Sequence, residues 1–317
     1  MGHNHAGHDH NHTHSANKKT LLIAFTIITI YMIVEVIGGF MTNSLALLSD
    51  AGHMLSDSIS LFIGILAFSI GEKVANANKT FGYKRFEILA AVFNGITLIA
   101  IAIYIFYEAI LRFTNPPEVA SSGMLYIAII GLLVNILAAW ILMRGGDTKD
   151  NLNMRAAFLH VIGDMLGSVG AIVAAIVIML FGWNWADPLA SVIVAALVLV
   201  SGLRVTKDAL HVLMEGTPAN VNVDEVIQLF HETKGIVSIH DLHIWSITSG
   251  HHALSCHVVI DDAMTIKESQ SILQKIEHQL QHLSINHITI QMETTSHQHD
   301  NSLYCNLNLQ KEHHHDH

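Results

Sequence analysis

Two pairs of ionisable side chains with identical spacing lie inside long apolar stretches of the sequence. Each pair reads His-x-x-x-Asp: His53 with Asp57, and His160 with Asp164. A step of four residues puts both side chains on one face of an α-helix, about 40° apart. Two imidazoles and two carboxylates make up a full tetrahedral ligand set for Zn²⁺. The nitrogen donors disfavour Mg²⁺, Ca²⁺ and Mn²⁺ and leave Cd²⁺ and Co²⁺ as alternatives.

The two pairs are predicted to lie at a common depth in the membrane. At a rise of 1.5 Å per residue, Asp57 and Asp164 lie about 18 and about 15 Å from opposite ends of their runs, near the midplane. Ionisable residues at that depth are costly and are functional candidates by default. A lone histidine would be a hydrogen-bonded core residue, and a lone aspartate would pair with a neighbouring helix. Two matched pairs without a Lys or Arg at their depth favour a metal site.

Two further acids, Asp50 and Glu35, lie on the outer side of this predicted site. Asp50 precedes Asp57 by seven residues and therefore shares its helical face, whereas Glu35 belongs to the first apolar run. Both acids fit the lining of an outer exit pathway. A helix cap or a helix–helix hydrogen bond fits them equally well, and both readings stay open.

Six apolar runs are long enough to position these residues in a bilayer, each having about 20 residues or more. They lie near 20–41, 45–70, 87–111, 122–144, 154–182 and 186–206. Nearly all basic residues of the connecting loops fall on one side, whereas the other side holds only Arg112. The positive-inside rule then places both termini in the cytoplasm, as an even number of crossings requires.

The sequence is divided into four segments. Residues 1–19 form a His-rich disordered tail, 20–210 a membrane all-α six-helix bundle, 211–295 a cytoplasmic α/β domain, and 296–317 a second His-rich disordered tail. The cytoplasmic domain is predicted as α-β-β-α-β, an order compatible with a ferredoxin-like fold. A capping box at Thr265 to Glu268 opens its second helix. The tails are expected to bind divalent metal loosely, or else serve only solubility.

Composition excludes several classes of protein. Hydrophobic residues make up 51% of the 317-residue chain and charged residues only 13%, against about 25% in soluble domains. The formal net charge of -10 leaves no basic field for nucleic acid, so no nucleic-acid partner is expected. The predicted partners are divalent metal ions, protons and the lipid bilayer.

The predicted site favours transport over catalysis. Four protein ligands leave no open position for an activated water, so the chain is predicted not to be an enzyme and to need no catalytic cofactor. A site at the midplane reached from each side in turn is a transporter arrangement. Because histidine must be neutral and aspartate ionised to bind metal, protons compete with the metal and an antiport can follow.

The chain resembles the cation diffusion facilitator family, in its zinc-transporting, heavy-metal-resistance branch. The motifs that carry the resemblance are SLALLSDAGHMLSD (44–57), FGYKRFEILAA (81–91), AAFLHVIGDMLGS (156–168), DPLAS (187–191) and HDLHIW (240–245). The resemblance implies a homodimeric proton antiporter of the cytoplasmic (inner) membrane that exports divalent metal. It also implies that His53, Asp57, His160 and Asp164 form the transport site.

The resemblance implies further sites. In the cytoplasmic domain the metal-binding positions map to His240, His257 and Glu293. His243 lies in the same motif, but strand alternation places it on the opposite face from His240 unless the strand carries a bulge.

Arg85 and Glu215 map near an interlocking charge pair of the family, or else form a solvated surface pair. A loop site of some members is predicted absent, because the loop after the second run has Asn76, Asn78 and Tyr83 and no His or Asp.

Two other functions stay open beside a proton-coupled exporter. One is a membrane-bound zinc sensor or scaffold without transport, and the other is an intramembrane enzyme, which the closed ligand shell disfavours. Uptake of metal instead of efflux is also compatible with the residues.

Overall fold

A computed structural model describes residues 10–70, 76–144, 152–248, 250–295 and 302–304. The chain divides into two compact units, Met1–Lys207 and Asp208–His317. The described part of the first unit is built from long helices, whereas the second contains a small sheet with helices.

Six long helices follow the six apolar runs of the sequence. They are α1 (His10–Thr42), α2 (Leu45–Ile70), α3 (Phe86–Thr114), α4 (Ser121–Arg144), α5 (Leu152–Phe181) and α6 (Ala186–Leu213). Large apolar side chains such as Phe93, Tyr126 and Leu180 are exposed along them. An extended exposed apolar surface of this kind is what a helix needs to face lipid.

Length and composition alone identify three candidate membrane spans among the described residues. These are Phe25–Thr42, Phe86–Thr114 and Ala186–Leu213. Two further helices contain shorter apolar stretches, Ser121–Leu137 and Met165–Phe181. The chain therefore has a helical transmembrane part, and a crossing by all six helices stays a prediction.

The ends of α1 and α6 differ from the prediction. The first helix begins at His10, so the stretch 10–19 is helical where the sequence predicted a disordered tail. Once a helix is nucleated, each added residue costs little, and polar residues preceding an apolar helix extend it. The sixth helix ends at Leu213, beyond the predicted boundary at 210. The remainder of the first tail, 1–9, lies outside the described residues.

The second unit has the predicted order of elements. These are α7 (Val223–Glu232), β1 (Ile236–Thr248), β2 (His251–Ile260), α8 (Ile266–His282) and β3 (Ile285–Thr294). The sheet has the order β1-β2-β3, with β1 antiparallel to β2 and β2 parallel to β3. Asn222 caps α7, and the predicted capping box of Thr265 and Glu268 opens α8.

One face of this sheet is covered by the two helices. Phe230 of α7 and Leu280 of α8 pack in a single core with Leu254 and Val258 of β2. Because successive strand residues alternate between faces, His257 points away from this core. The face turned away from the two helices therefore carries the polar chemistry.

A short C-terminal segment lies along β1. The backbone N–H of Leu242 donates to the Leu303 carbonyl at 2.9 Å, and the Leu303 side chain packs against the core. Residues 302–304 therefore contact the sheet within a segment predicted as a disordered tail, because an apolar Leu interrupts its polar run. The rest of that tail, 296–301 and 305–317, lies outside the described residues.

Candidate metal centres

The helices α2 and α5 pack against each other and run in opposite directions. Leu47 near the start of α2 packs in one cluster with Ala175 near the end of α5. Further along α2, Ser168 of α5 donates a hydrogen bond to Asp50 Oδ2 at 3.0 Å. The backbones approach closely here, because a methyl group added at Gly167 would collide with Asp50 Oδ1.

The four predicted transport ligands lie on these two helices. His53 is half-buried on α2, and the backbone of Asp57 lies one turn further along the same helix. The backbones of His160 and Asp164 lie in α5. The side chains of Asp57, His160 and Asp164 lie outside the described part of the structure, so the convergence of the four ligands stays a prediction.

The predicted outer acids, Glu35 and Asp50, belong to a buried polar network. Their exposed fractions are 0% and 1%. The Tyr31 hydroxyl lies 2.9 Å from Glu35 Oε1, and the Asn135 side-chain amide of α4 lies 3.5 Å from the Ser168 hydroxyl. The network joins α1, α2, α4 and α5, so the helix–helix hydrogen bond foreseen as one alternative for Asp50 is present.

The sequence analysis missed the role of Asp187 at the start of α6. This buried carboxylate accepts hydrogen bonds from the Ser44 hydroxyl at 2.6 Å and from the backbone N–H groups of Leu45 and Ala46 at 2.8 and 3.1 Å. It therefore caps the N-terminus of α2 from another helix. A negative charge at this position also interacts favourably with the positive end of the helix dipole. The DPLAS motif carried the only sequence signal of this role.

Arg112 at the end of α3 joins the same group. Its Nη1 lies 3.8 Å from Asp187 Oδ2 and donates to the Asn43 carbonyl at 2.7 Å, and its Nε donates to Glu108 at 2.9 Å. The one basic residue of the predicted outer loops thus holds helix ends together.

In the second unit the structure brings together the three predicted metal-binding residues. His257 Nδ1 lies 2.8 Å from Glu293 Oε1, and His240 Nε2 lies 3.4 Å from Glu293 Oε2. One ligand atom from each residue lies within 4.8 Å of the others. His240 and His257 are cross-strand partners of β1 and β2, and Glu293 lies on the adjacent β3.

The bulge named above as the exception for His243 is present in β1. Between His240 and His243 the strand advances three residues, while the partner strand advances two, from His257 to Ser255. Asp241 adopts the left-handed backbone conformation, with φ of 50°, which Asp tolerates better than most residues. The extra residue turns His243 to the same face as His240, so strict alternation does not hold.

The bulge also brings Asp241 to the cluster. Its Oδ1 lies 3.1 Å from His243 Nε2, and its Oδ2 lies 3.9 Å from His257 Nε2. Sequence reasoning missed this carboxylate, because its approach depends on the bulge.

Burial sets the protonation of two nearby side chains. Burial, with a smaller effect of Asp241, raises the pKa of the Cys256 thiol to about 12. Cys256 lies on the core face and stays protonated, so it is not a thiolate ligand at neutral pH. Burial, reinforced by the adjacent His251, lowers the pKa of His252, which contacts the Ser246 hydroxyl at 3.0 Å.

The remaining predicted positions lie apart from these centres. Arg85 directly precedes α3, and Glu215 follows α6 with φ of 58°. They belong to separate units, so their interlock stays a prediction. In the described part of the loop before α3, Asn76 Oδ1 accepts from the backbone N–H groups of Asn78 and Lys79.

Comparison with known proteins agrees with this two-part architecture. Residues 21–214 match the family described as the cation efflux transmembrane domain, and residues 218–295 match the one described as the cation efflux protein, cytoplasmic domain.

Named relatives cover most of the chain. A Bacillus subtilis (strain 168) protein named cadmium, cobalt and zinc/H(+)-K(+) antiporter is 67% identical over 308 residues, which is 96% of this chain and 99% of its own. The metal cation efflux system protein CzcD of Cupriavidus metallidurans is 43% identical and covers 91% of this chain and 90% of its own. The zinc transporter ZitB of Pectobacterium atrosepticum is 44% identical, with 90% and 88% covered. These matches confirm the predicted family and a transporter instead of an enzyme: the chain belongs to the cation efflux family, also called the cation diffusion facilitators.

Proposed function

We propose that the chain exports Zn²⁺, with Cd²⁺ and Co²⁺ as further substrates, from the cytoplasm in exchange for protons. The names of its relatives support this substrate class and this type of exchange. The metal passes through a site formed by His53, Asp57, His160 and Asp164.

The observation that supports the position of this site is the hydrogen bond between Ser168 of α5 and Asp50 of α2. Counted from that contact along the two antiparallel helices, a rise of 1.5 Å per residue puts His53 about 4 Å, Asp164 about 6 Å, Asp57 about 10 Å and His160 about 12 Å further along. All four positions therefore fall within a band of about 8 Å. A divalent ion bound within this band reaches one carboxylate and one imidazole from each helix.

Proton exchange follows from the chemistry of the ligands. The metal binds neutral imidazole and ionised carboxylate, so protonation of either releases it. An inward proton gradient favours protonation from the outer side, and the cytoplasmic side favours reloading with metal. The carrier then converts proton entry into metal export.

The proposed topology has six membrane crossings, with both termini in the cytoplasm and the protein in the inner membrane. Domain boundaries at 20–210 and 211–295 accompany it, and the sheet and helices of the second unit form a ferredoxin-like domain. The His-rich tails at 1–19 and 296–317 then lie on the side from which metal is collected. We assign them loose capture of divalent metal.

His240, His257 and Glu293 are the residues that would hold a metal ion in the cytoplasmic domain. Two imidazoles and a carboxylate suit Zn²⁺, and the two oxygens of the buried Glu293 face the two rings. We propose that the domain pairs with a second copy in a homodimer and that metal at this cluster stabilises it. Arg85 and Glu215 are proposed to interlock the two units.

Zinc uptake into inside-out proteoliposomes tests the function. With an imposed proton gradient the wild type accumulates zinc, and Asp57→Asn or His160→Ala abolishes accumulation. Asp208→Asn, an exposed aspartate, is the matched control and retains it. Binding of zinc by the wild type without any flux would contradict export and favour the sensor or scaffold.

A further inference from the structure

We propose that Glu35 and Asp50 share one proton and form a proton-binding site of the carrier, separate from the metal ligands. This inference rests on the proposed antiport, because it assigns a second group that binds the exchanged ion. The argument comes from the supply of hydrogens around these two acids.

The described donors around Glu35 are too few. Glu35 Oε2 is buried and receives no hydrogen bond from any described residue, although the Asp50 carboxylate lies in hydrogen-bonding reach of Glu35. Two carboxylates at that separation have only acceptor oxygens unless one of them carries a proton. A single shared proton supplies the missing donor.

The tyrosine beside them adds to the same deficit. The Tyr31 hydroxyl lies 2.9 Å from Glu35 Oε1 and 2.6 Å from the Ile127 carbonyl. It has one hydrogen for two acceptors, and the shorter contact is to the carbonyl, which can only accept. If the Tyr31 hydrogen is donated to the Ile127 carbonyl, the contact between Tyr31 and Glu35 needs a hydrogen on Glu35.

Uncharged polar side chains surround the pair in the described part of the helices. They include Tyr31 of α1, Asn135 of α4 and Ser168 of α5, none of which is positively charged at neutral pH. Along the same helices the next titratable residues are His53, one turn from Asp50, and Asp164, one turn from Ser168. Two adjacent carboxylates in a medium of low dielectric do not both stay ionised.

The donor set and the space favour a proton over a metal ion. All nearby groups are oxygen donors, which do not suit Zn²⁺ as nitrogen donors do. Asp50 is also pressed against the α5 backbone at Gly167, where even a methyl group would collide. A proton needs no cavity, whereas a larger cation must separate the two acids.

Infrared spectroscopy of the full-length protein tests the shared proton directly. At neutral pH we expect a protonated-carboxyl C=O band that shifts in D₂O and is lost in both Glu35→Gln and Asp50→Asn. Each amide donates to the remaining carboxylate, which then stays ionised.

Glu118→Gln removes an exposed acid as the matched control and keeps the band. A wild type without the band, or a band that persists in the double variant, would overturn the proposal. Loss of the wild-type band on adding K⁺ would also overturn it, by identifying a cation site.

A second measurement separates this proposal from the proposed function. Protons released on zinc binding are counted in weakly buffered solution, and Glu35→Gln is expected to release about one fewer than the wild type. Equal proton counts overturn the proposal. Zinc export by a wild type that lacks the infrared band refutes the shared proton alone, whereas the band without zinc export refutes the exporter alone.

Discussion

At the scale of single residues, the His240, His257 and Glu293 cluster is the most specific chemical feature of the second unit. Its geometry depends on one cross-strand pair and one neighbouring strand, all on the face of the sheet turned away from the two helices. His243 and Asp241 lie on that face because of the bulge, so their contribution to metal binding is tested separately from that of the three cluster residues.

Substitution within the cluster is expected to weaken zinc binding unequally. In a background of Asp57→Asn, which disables the membrane site, His257→Ala and Glu293→Gln should lower affinity at least about tenfold, as even outer partners of metal ligands do. His243→Ala acts through Asp241 and should cost less. Isothermal titration of the full-length protein measures these effects. His278→Ala, an exposed histidine of α8, is the control, and an equal loss there would contradict the assignment.

His252 gives the second unit a pH-dependent stability. Because its pKa in the folded state is lowered by burial, the unfolded chain binds the proton first as pH falls below about 6.5. The stabilisation is therefore complete above that pH and is lost as pH falls toward the folded-state pKa.

Hydrogen exchange of the β2 amides in the full-length protein measures this change. Protection should fall with acidification by at most about tenfold per pH unit for one titrating group. His252→Gln should flatten the profile, and His278→Gln should leave it unchanged. A profile that is already flat in the wild type would refute the assignment.

At the scale of elements, the start of α2 is positioned by residues of α3 and α6. Asp187 accepts from three donors at that helix end, and Arg112 reaches the same carboxylate. Since His53 and Asp57 lie on α2, the position of this helix end sets the position of two proposed metal ligands.

Asp187→Asn should therefore lower both stability and transport. Loss of charge-assisted hydrogen bonds costs about 2 kcal/mol, which for a chain of 317 residues corresponds to a decrease of about 3 °C in the thermal unfolding midpoint. Zinc uptake at saturating zinc should fall while the protein remains folded. Scanning fluorimetry and vesicle uptake report the two effects, with Asp208→Asn as control. An unchanged midpoint would show that the Ser44 hydroxyl alone caps α2.

The elements that sequence predicts well are those set by local chemistry. The apolar runs gave helix bounds close to those of α2 and α4, and the Thr265 to Glu268 spacing identified the start of α8. The bulge at Asp241 escaped prediction because no glycine marks it and its cause is the pairing of two strands. The Asp187 cap escaped because its partners are about 140 residues away in the chain.

At the scale of the whole molecule, the number of crossings and the orientation follow from the apolar runs and from the basic residues of the loops between them. The orientation is predicted from the excess of Lys and Arg summed over several loops, so no single contact in the structure determines it. The ligands of the membrane site were predictable from spacing, but their convergence depends on how α2 and α5 pack.

Thiol labelling in intact cells tests the topology. Cys256 is buried, and its pKa is raised to about 12. The Cys305→Ser variant, which keeps only Cys256, should therefore not react with a membrane-impermeant thiol reagent. Into this background we would introduce Glu118→Cys, Trp183→Cys or Asn78→Cys, all at exposed positions in loops. Six crossings with cytoplasmic termini predict labelling of the first two in intact cells, and of Asn78→Cys only after permeabilisation. Labelling of Glu118→Cys without Trp183→Cys would mean that α4 and α5 do not both cross, and the band that holds the proposed metal ligands could not lie at the midplane.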